Sequence, residues 1–202
     1  MFLSEAIKYN VLPLDDRRQE LFNPNIAGRP DLMFGRRSLT LYEGMTGLLE
    51  NDFINMKNTS FEIVADVEVG DKPANGVLVS QGGAFGGWSL YLKDGSPVFM
   101  YNYLGIDRFT ATSKRKLPKG KSTVTMDFAY QGKQPGAGGT ATLSVNGQSV
   151  GSGKIGKTEF AIFSADETAS VGVDLETPVS TDYDRASSKF TGNIDKVTIT
   201  LK

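Results

Sequence analysis

The sequence contains no cysteine and no histidine in its 202 residues. Without cysteine, the chain has no disulfide bond, no thiol nucleophile and no thiolate-bound zinc or iron–sulfur site. Without histidine, it has no imidazole base, no Ser–His–Asp triad and no histidine metal site. Any hydrolytic chemistry would therefore rest on carboxylates, lysine, tyrosine or a cation bound by oxygen atoms.

The chain also lacks a strong excess of either charge and long hydrophobic runs. It has 22 Lys and Arg residues against 23 Asp and Glu residues, a net charge of -1, so we expect no nucleic-acid partner. No apolar run approaches the ~18 residues of a membrane helix, so we expect no membrane partner. The first residues lack the basic and apolar regions of an export signal. The cellular compartment stays open, because in a fragment of a longer protein the export signal would lie outside this sequence.

Residues 1–35 differ in pattern from the rest of the chain. Apolar residues in 2–7 recur near a period of 3.6, which predicts a short helix, and the charged residues 15–20 predict a second helical turn. Residues 23–35 are rich in glycine, proline and asparagine, as is typical of a linker. We therefore predict a helical and extended segment over 1–35 and a β-domain over 36–202.

From residue 36 onward the hydrophobic period is two. Residues 61–69 alternate apolar and polar side chains, and Asp94-Gly95 and Asn146-Gly147 are typical tight hairpin turns. About ten short strands at this spacing predict an antiparallel two-sheet sandwich, in which the first and last strands pair. The predicted strands are 61–69, 76–80, 88–93, 97–103, 108–112, 122–130, 140–145, 148–150, 160–164 and 194–201.

The single tryptophan, Trp88, directly follows a glycine-rich stretch that runs from Gly82 to Gly87. One interpretation is an exposed ring that stacks on a sugar, in a glycan face formed by Trp88, Tyr91, Tyr101 and Arg108. The alternative is that Trp88 is a core anchor of the sandwich. The pattern leaves both open.

Residues 164–184 hold the densest group of carboxylates in the chain. They include Asp166, Glu167, Asp174 and Asp182, with no basic residue before Arg185. One interpretation is a Ca²⁺ ion bound by these four oxygen-bearing side chains, which would fix a long loop to the sandwich. The alternative is a hydrated acidic loop without a cofactor.

The sequence has two further groups of charged residues, a pair of glutamates and a basic cluster. Glu62 and Glu68 share the polar face of one strand, as a glycosidase carboxylate pair would, but no aromatic residues alternate with them. Residues 114–121 contain a basic cluster that includes Lys121, which is typical of a solvated turn or of an anion-binding patch.

Nearly the whole chain resembles, in order, the end of long bacterial arylsulfatases. The similarity begins at Lys8–Arg17, a stretch that resembles the end of their catalytic part, and continues through the region that follows it. The later similar stretches are Tyr42–Met45, Gly76–Gly83, Phe85–Leu92, Tyr101–Gly105, Gly138–Leu143, Phe163–Thr168 and Thr177–Ser180.

This resemblance implies a carboxy-terminal accessory domain of concanavalin-like or laminin G-like type. The expected fold is all-β: an antiparallel two-sheet jelly-roll sandwich with a short helical N-terminal segment. The Cys/Ser-x-Pro-x-Arg motif on which sulfatase catalysis depends is absent, so the chain alone is expected not to be an enzyme. The expected role is structural, docking on a sulfatase catalytic domain, with homodimerisation through the N-terminal segment when that domain is missing. The alternative is a carbohydrate-binding module for sulfated or plain polysaccharide.

Overall fold

The computed structural model describes residues 2–14, 17, 19–28 and 30–202. Two short α-helices, α1 (Phe2–Lys8) and α2 (Pro24–Ala27), and a 3₁₀ turn (Gln19–Phe22) precede the first strand. A second 3₁₀ turn covers Glu50–Asp52. The helix predicted at the start of the chain is therefore α1. The predicted helical turn over 15–20 overlaps the first 3₁₀ turn, but its residues 15, 16 and 18 lie outside the described residues.

Within the described residues, eleven strands form two antiparallel sheets packed as a jelly-roll sandwich. In the order of neighbours, the six-stranded sheet contains β1 (Ser38–Leu41), β11 (Asn193–Leu201), β2 (Phe61–Val69), β7 (Gly120–Tyr130), β8 (Ala137–Val145) and β9 (Gln148–Lys157). The five-stranded sheet contains β10 (Ala169–Val171), β3 (Gly76–Gly83), β4 (Gly86–Lys93), β5 (Ser96–Tyr103) and β6 (Asp107–Thr112). The predicted fold class is confirmed.

The pairing of the two most strongly patterned strands is also confirmed. β2 pairs with β11 from Phe61↔Leu201 to Glu68↔Asn193, and both predicted hairpins form, β4–β5 and β8–β9. The predicted strand at 160–164 is wrong, because that segment forms bends and belongs to neither sheet. Two short strands, β1 and β10, are not among the predicted strands.

The core lies between the inner faces of the two sheets. Along β2 the apolar residues at the five odd-numbered positions from Phe61 to Val69 are buried, while the residues between them, which include Val64, face outward. A period of two therefore becomes one buried and one polar face, as expected for a sheet with one wet side. At the open edges the sheets approach closely: a Cβ on Gly153 of β9 would lie 2.0 Å from the Thr110 carbonyl oxygen of β6, so glycine permits this contact.

The outer face of the five-stranded sheet is covered as well. Residues 172–190, which we call the strap, cross this face, and Val179 and Tyr183 pack on Tyr91 and Met100. Strands β3, β4 and β5 are consequently buried on both faces over most of their length. No segment among the residues described here covers the outer face of the six-stranded sheet in this way, and that face carries alternating polar side chains.

The segment before β1 contacts the sandwich at Asn23. Its side chain donates to the Phe160 carbonyl oxygen at 2.8 Å and accepts from Asn55 Nδ2 at 3.0 Å, and the residue is 1 % exposed. The first strand of the sandwich begins at Ser38. The boundary between residues 35 and 36 stays a prediction.

Candidate functional site

The structure places three of the four residues of the expected glycan face inside the protein. Trp88, Tyr91 and Tyr101 are 0 %, 1 % and 4 % exposed, while Arg108 on β6 is exposed. The three rings cannot stack on a sugar without unfolding the sheet that holds them. The expected glycan face is therefore wrong at these three positions, where the rings belong to the buried interior. A binding role for Arg108 stays a prediction.

Each of these three buried side chains has its polar atom satisfied internally. The Trp88 indole N–H donates to Gln81 Oε1 at 3.0 Å, the Tyr91 hydroxyl donates to Asp182 Oδ2 at 2.6 Å, and the Tyr101 hydroxyl accepts from the Glu159 amide at 2.7 Å. Burial raises the pKa of both tyrosine hydroxyls above the ordinary value. These groups are structural polar contacts of the interior.

The exposed aromatic residue of the glycine-rich stretch is Phe85. It lies in the β3–β4 turn and is 75 % exposed, beside Leu104 and Ile106 of the β5–β6 turn. The buried Asn102 side chain joins the two turns, since it donates to the Gly83 and Ala84 carbonyl oxygens and accepts from the Gly105 amide. The glycine-rich rim therefore presents a phenylalanine three residues before Trp88.

The four expected calcium ligands do not come together. Asp174 accepts from the Tyr183 hydroxyl at 2.7 Å, Asp182 accepts from Lys93 at 2.7 Å, and Glu167 accepts from Thr177. Across the ranges that the structure describes, no three acidic side chains form a group able to hold a metal ion. A shared calcium site of Asp166, Glu167, Asp174 and Asp182 is thus not formed in this arrangement.

Instead, two of these carboxylates hold the strap on the five-stranded sheet. Burial raises the pKa of Asp174, although the Val179 amide and the Tyr183 hydroxyl both donate to it. For Asp182, burial acts to raise the pKa, but hydrogen bonds from Lys93 and Tyr91 outweigh it and lower the pKa. Asp182 binds the strap to β4 directly through Tyr91 and Lys93, and Asp174 holds Tyr183, whose hydroxyl also contacts Ser89 of β4.

A polar cleft of about 540 Å³ opens at one end of the six-stranded sheet. It lies where β2, β7 and the start of β11 meet the β8–β9 turn. A β-bulge between Ile194 and Lys196 leaves Asp195 as an extra residue beside the cleft, as bulges commonly redirect a side chain. The lining residues are Asp66, Val67, Glu68, Lys121, Ser122, Thr123, Asn146, Asn193, Ile194 and Asp195.

Some polar side chains of the cleft are engaged and others are available to a ligand. Thr123 donates to Asp66 Oδ1 at 2.8 Å, and Asn146 accepts from the Thr123 amide at 2.8 Å. Within the described part of the chain, no side-chain hydrogen bond or ion pair engages the cleft's remaining charged and amide groups. These are Glu68, Lys121, Asn193 and Asp195, all of them exposed.

Two residues of this cleft, Glu68 and Lys121, are candidates in the sequence, but the sequence pattern does not indicate that they lie together. Glu68 was paired with Glu62, yet six residues of extended strand separate the two by about 20 Å. A glycosidase pair requires a separation of about 5–9.5 Å, so these two glutamates cannot form one. Sheet pairing places Glu68 instead between Lys121 and Asn193, which lie 53 and 125 positions later in the sequence. Periodicity cannot reveal such neighbours.

No helix in the described ranges is both long and apolar enough to cross a membrane.

No family model matches the chain, and no curated protein matches it. The resemblance to arylsulfatases therefore rests on the quoted sequence stretches alone. Solved structures do match. The CBM40 module of the Ruminococcus gnavus IT-sialidase superposes with a TM-score of 0.53 at 14% identity, over 82% of this chain and 90% of that one. It has also been solved bound to α2,3-sialyllactose.

Two sialidases contain a similar domain. The leech intramolecular trans-sialidase matches with a TM-score of 0.52 at 14% identity, over 82% of this chain and 25% of that one. The NanB sialidase of Streptococcus pneumoniae matches with a TM-score of 0.51 at 14% identity, over 80% and 25%. This chain thus spans a quarter of each of these two proteins. At such low identity the likeness establishes the fold, a concanavalin-like jelly roll, and not the function.

Proposed function

We propose that this domain is a non-catalytic carbohydrate-binding module whose ligand lies in the cleft between β2, β7 and β11. The observation that carries the proposal is the set of unengaged polar side chains at that cleft, Glu68, Lys121, Asn193 and Asp195. Together they offer hydrogen-bond acceptors and donors, which suits sugar hydroxyls because each hydroxyl both donates and accepts.

The size of the cleft and the fold both support this proposal. A volume of about 540 Å³ lies within the usual range of ligand sites and accommodates one or two sugar rings. The same sandwich architecture occurs in the CBM40 module solved with sialyllactose. None of the described residues that line the cleft is aromatic, so binding rests on hydrogen bonds. We expect dissociation constants in the millimolar range, about -4 kcal/mol.

Substitution at the cleft should weaken sugar binding without unfolding the domain. Glu68→Ala and Asn193→Ala each remove an exposed hydrogen-bonding group, and we expect the Kd for a bound oligosaccharide to rise roughly tenfold, about 1.4 kcal/mol. NMR titration with a panel of neutral and charged oligosaccharides measures this change and maps the contact.

The matched control is Glu62→Ala, which removes a glutamate from the same face of β2 but outside the cleft, where it pairs with Lys202. It should leave the Kd unchanged. The proposal is wrong if shift changes caused by every bound sugar map elsewhere, for example to the Phe85 turn, or if no sugar in the panel binds.

A second candidate function is a docking module, and a specific observation favours it. Most of the exposed large hydrophobic side chains lie before β1, although this region is a small part of the chain. They are Phe2, Leu3, Ile7, Tyr9, Val11, Leu12, Leu14, Leu21, Phe22, Leu32 and Phe34. An apolar surface of this extent is typical of an interaction site. We propose that it packs against a neighbouring domain, and the sequence resemblance implies an arylsulfatase catalytic domain as that neighbour.

If that surface lacks its partner, it should drive self-association. We expect the isolated chain to form dimers at high concentration and the variant Leu3→Glu/Ile7→Glu to be monomeric, because both side chains lie on one face of α1. Sedimentation velocity across a concentration series measures this. A Phe85→Glu variant, which places one glutamate on the apolar β3–β4 turn, should still dimerise. A wild-type chain that stays monomeric throughout the series would count against the docking function.

A further inference from the structure

We infer that the cleft binds uncharged or amine-bearing sugars and discriminates against sulfated and carboxylated ones. This inference rests on the proposed carbohydrate-binding function and concerns the substrate class of that same site. It starts from the charges of the lining. Three carboxylates, those of Asp66, Glu68 and Asp195, face one lining ammonium group, that of Lys121.

Partners within the protein compensate only one of these carboxylates. Asp66 accepts from the Thr123 hydroxyl and lies 3.8 Å from Lys196 Nζ. Glu68 and Asp195 have no such partner among the described residues, and neither has Lys121. Counting Lys196, the cleft still holds more negative than positive charge, and two of its three carboxylates are available to a ligand.

A carboxylate without a partner in the protein distinguishes sugars by their hydrogen-bond donors and by their charge. A neutral pyranose presents hydroxyl hydrogens, which an ionised carboxylate accepts in charge-assisted hydrogen bonds. An amino sugar adds an ammonium group of opposite charge. A sulfate ester or a free carboxylate group offers acceptor oxygens and a like charge, so it is repelled by Glu68 and Asp195 and leaves their oxygens without donors.

The position of the two free carboxylates makes this repulsion hard to avoid. Glu68 and Asn193 are paired across β2 and β11, and Asp195 follows on the bulge of β11, so the carboxylates flank the cleft on one side. Lys121 lies opposite Glu68 on β7. A ligand that brings an anionic group to Lys121 therefore brings it close to Glu68 as well. The CBM40 module that shares this fold is solved bound to sialyllactose, but at 14% identity a shared fold does not transfer its ligand to this cleft.

Matched polysaccharide pairs that differ only in charge test this inference. Oligosaccharides of desulfated and native κ-carrageenan, of dextran and dextran sulfate, and of chitosan and O-sulfated chitosan are titrated into the isotopically labelled chain at low salt. For each pair in which either member binds, we expect the neutral or amine-bearing member to bind at least tenfold more tightly than the sulfated one. Added salt should reduce this ratio, since it screens exposed charges.

The double variant Glu68→Gln/Asp195→Asn removes both free negative charges and keeps the side-chain sizes. It should lower the ratio of the two Kd values at least fivefold, whereas the control Glu62→Gln should leave the ratio as in the wild type. Equal or tighter binding of the sulfated members would overturn the charge selection and leave the proposed function intact. If no member of any pair binds, both proposals fail.

Discussion

Replacing Lys57 by methionine is expected to lower the free energy of unfolding by about 3–5 kcal/mol, the usual cost of breaking a buried ion pair. The Lys57 side chain is only 4% exposed and forms an ion pair with Glu50, whose side chain is 9% exposed. Removing the ammonium leaves the Glu50 carboxylate in a low-dielectric site without its cation. Urea unfolding of the variant and the wild type at one pH measures the difference.

The surroundings of this pair explain the size of the expected effect. Lys57 Nζ also lies 4.9 Å from the centre of the Phe163 ring, and Glu50 Oε2 accepts from Gln81 Nε2 at 3.5 Å. Gln81 in turn accepts from Trp88. A chain of polar contacts thus extends from the ion pair to the centre of the core, and the loss of one member leaves the next one unsatisfied.

Two comparisons separate a buried pair from an ordinary one. The double variant Lys57→Met/Glu50→Met removes both charges and should recover most of the lost stability, because apolar groups of similar volume often replace a buried pair at little cost. Lys119→Met breaks the exposed pair with Asp71 and should change stability by less than about 0.5 kcal/mol. A Lys57→Met effect as small as the Lys119→Met effect would contradict the buried-pair assignment.

The strands that could be predicted from the sequence either alternate with a period of two or, like β3, β4 and β5, are apolar runs next to turn glycines and are buried on both faces. β2 alternates over nine residues because one face meets the core and the other meets water, and its neighbour β11 alternates in the same way after its bulge, from Lys196 to Thr200. β10 has only three residues, all of them buried, so it shows no alternation from which it could be recognised.

The wrong strand at 160–164 has a physical cause. Its sequence is apolar enough for a strand, but side chains bind its backbone in place of a neighbouring strand. The Phe160 carbonyl oxygen accepts from Asn23 and Asn58, and Glu159 Oε1 accepts from the amides of Phe160 and Ala161. Backbone groups satisfied in this way need no sheet, and hydrophobic periodicity does not detect such partners.

The glycines around Trp88 were misleading for a related reason. In the sequence they indicate an open, flexible rim, whereas in the structure Gly82 pairs with Gly87 and Gly83 with Gly86 across one hairpin. The Glu167 carboxylate occupies the space into which a side chain on Gly83 would extend. The glycines therefore mark close packing at this end of the sheet, and the cleft lies on the other sheet.

Replacing Trp88 by alanine is expected to lower the free energy of unfolding by about 3–5 kcal/mol, because it empties a large volume in the core. The indole is 0 % exposed, with its centre 6.1 Å from the Phe53 ring and 6.3 Å from the Phe99 ring. The truncation also leaves Gln81 Oε1 without its donor. For a domain of this size the melting temperature should fall by roughly 6–20 °C.

Phe85→Ala is the matched control, since it truncates an aromatic ring in the same glycine-rich stretch that is 75 % exposed. We expect it to change the free energy of unfolding by less than about 0.5 kcal/mol. Thermal and urea unfolding of both variants are compared with their sugar affinities. A Trp88→Ala protein that keeps its stability but loses affinity would place the ring in a binding site and contradict its role as a core anchor. The expected opposite result, lost stability with the cleft affinity retained below the melting temperature, assigns Trp88 to folding and leaves recognition to the polar groups of the cleft.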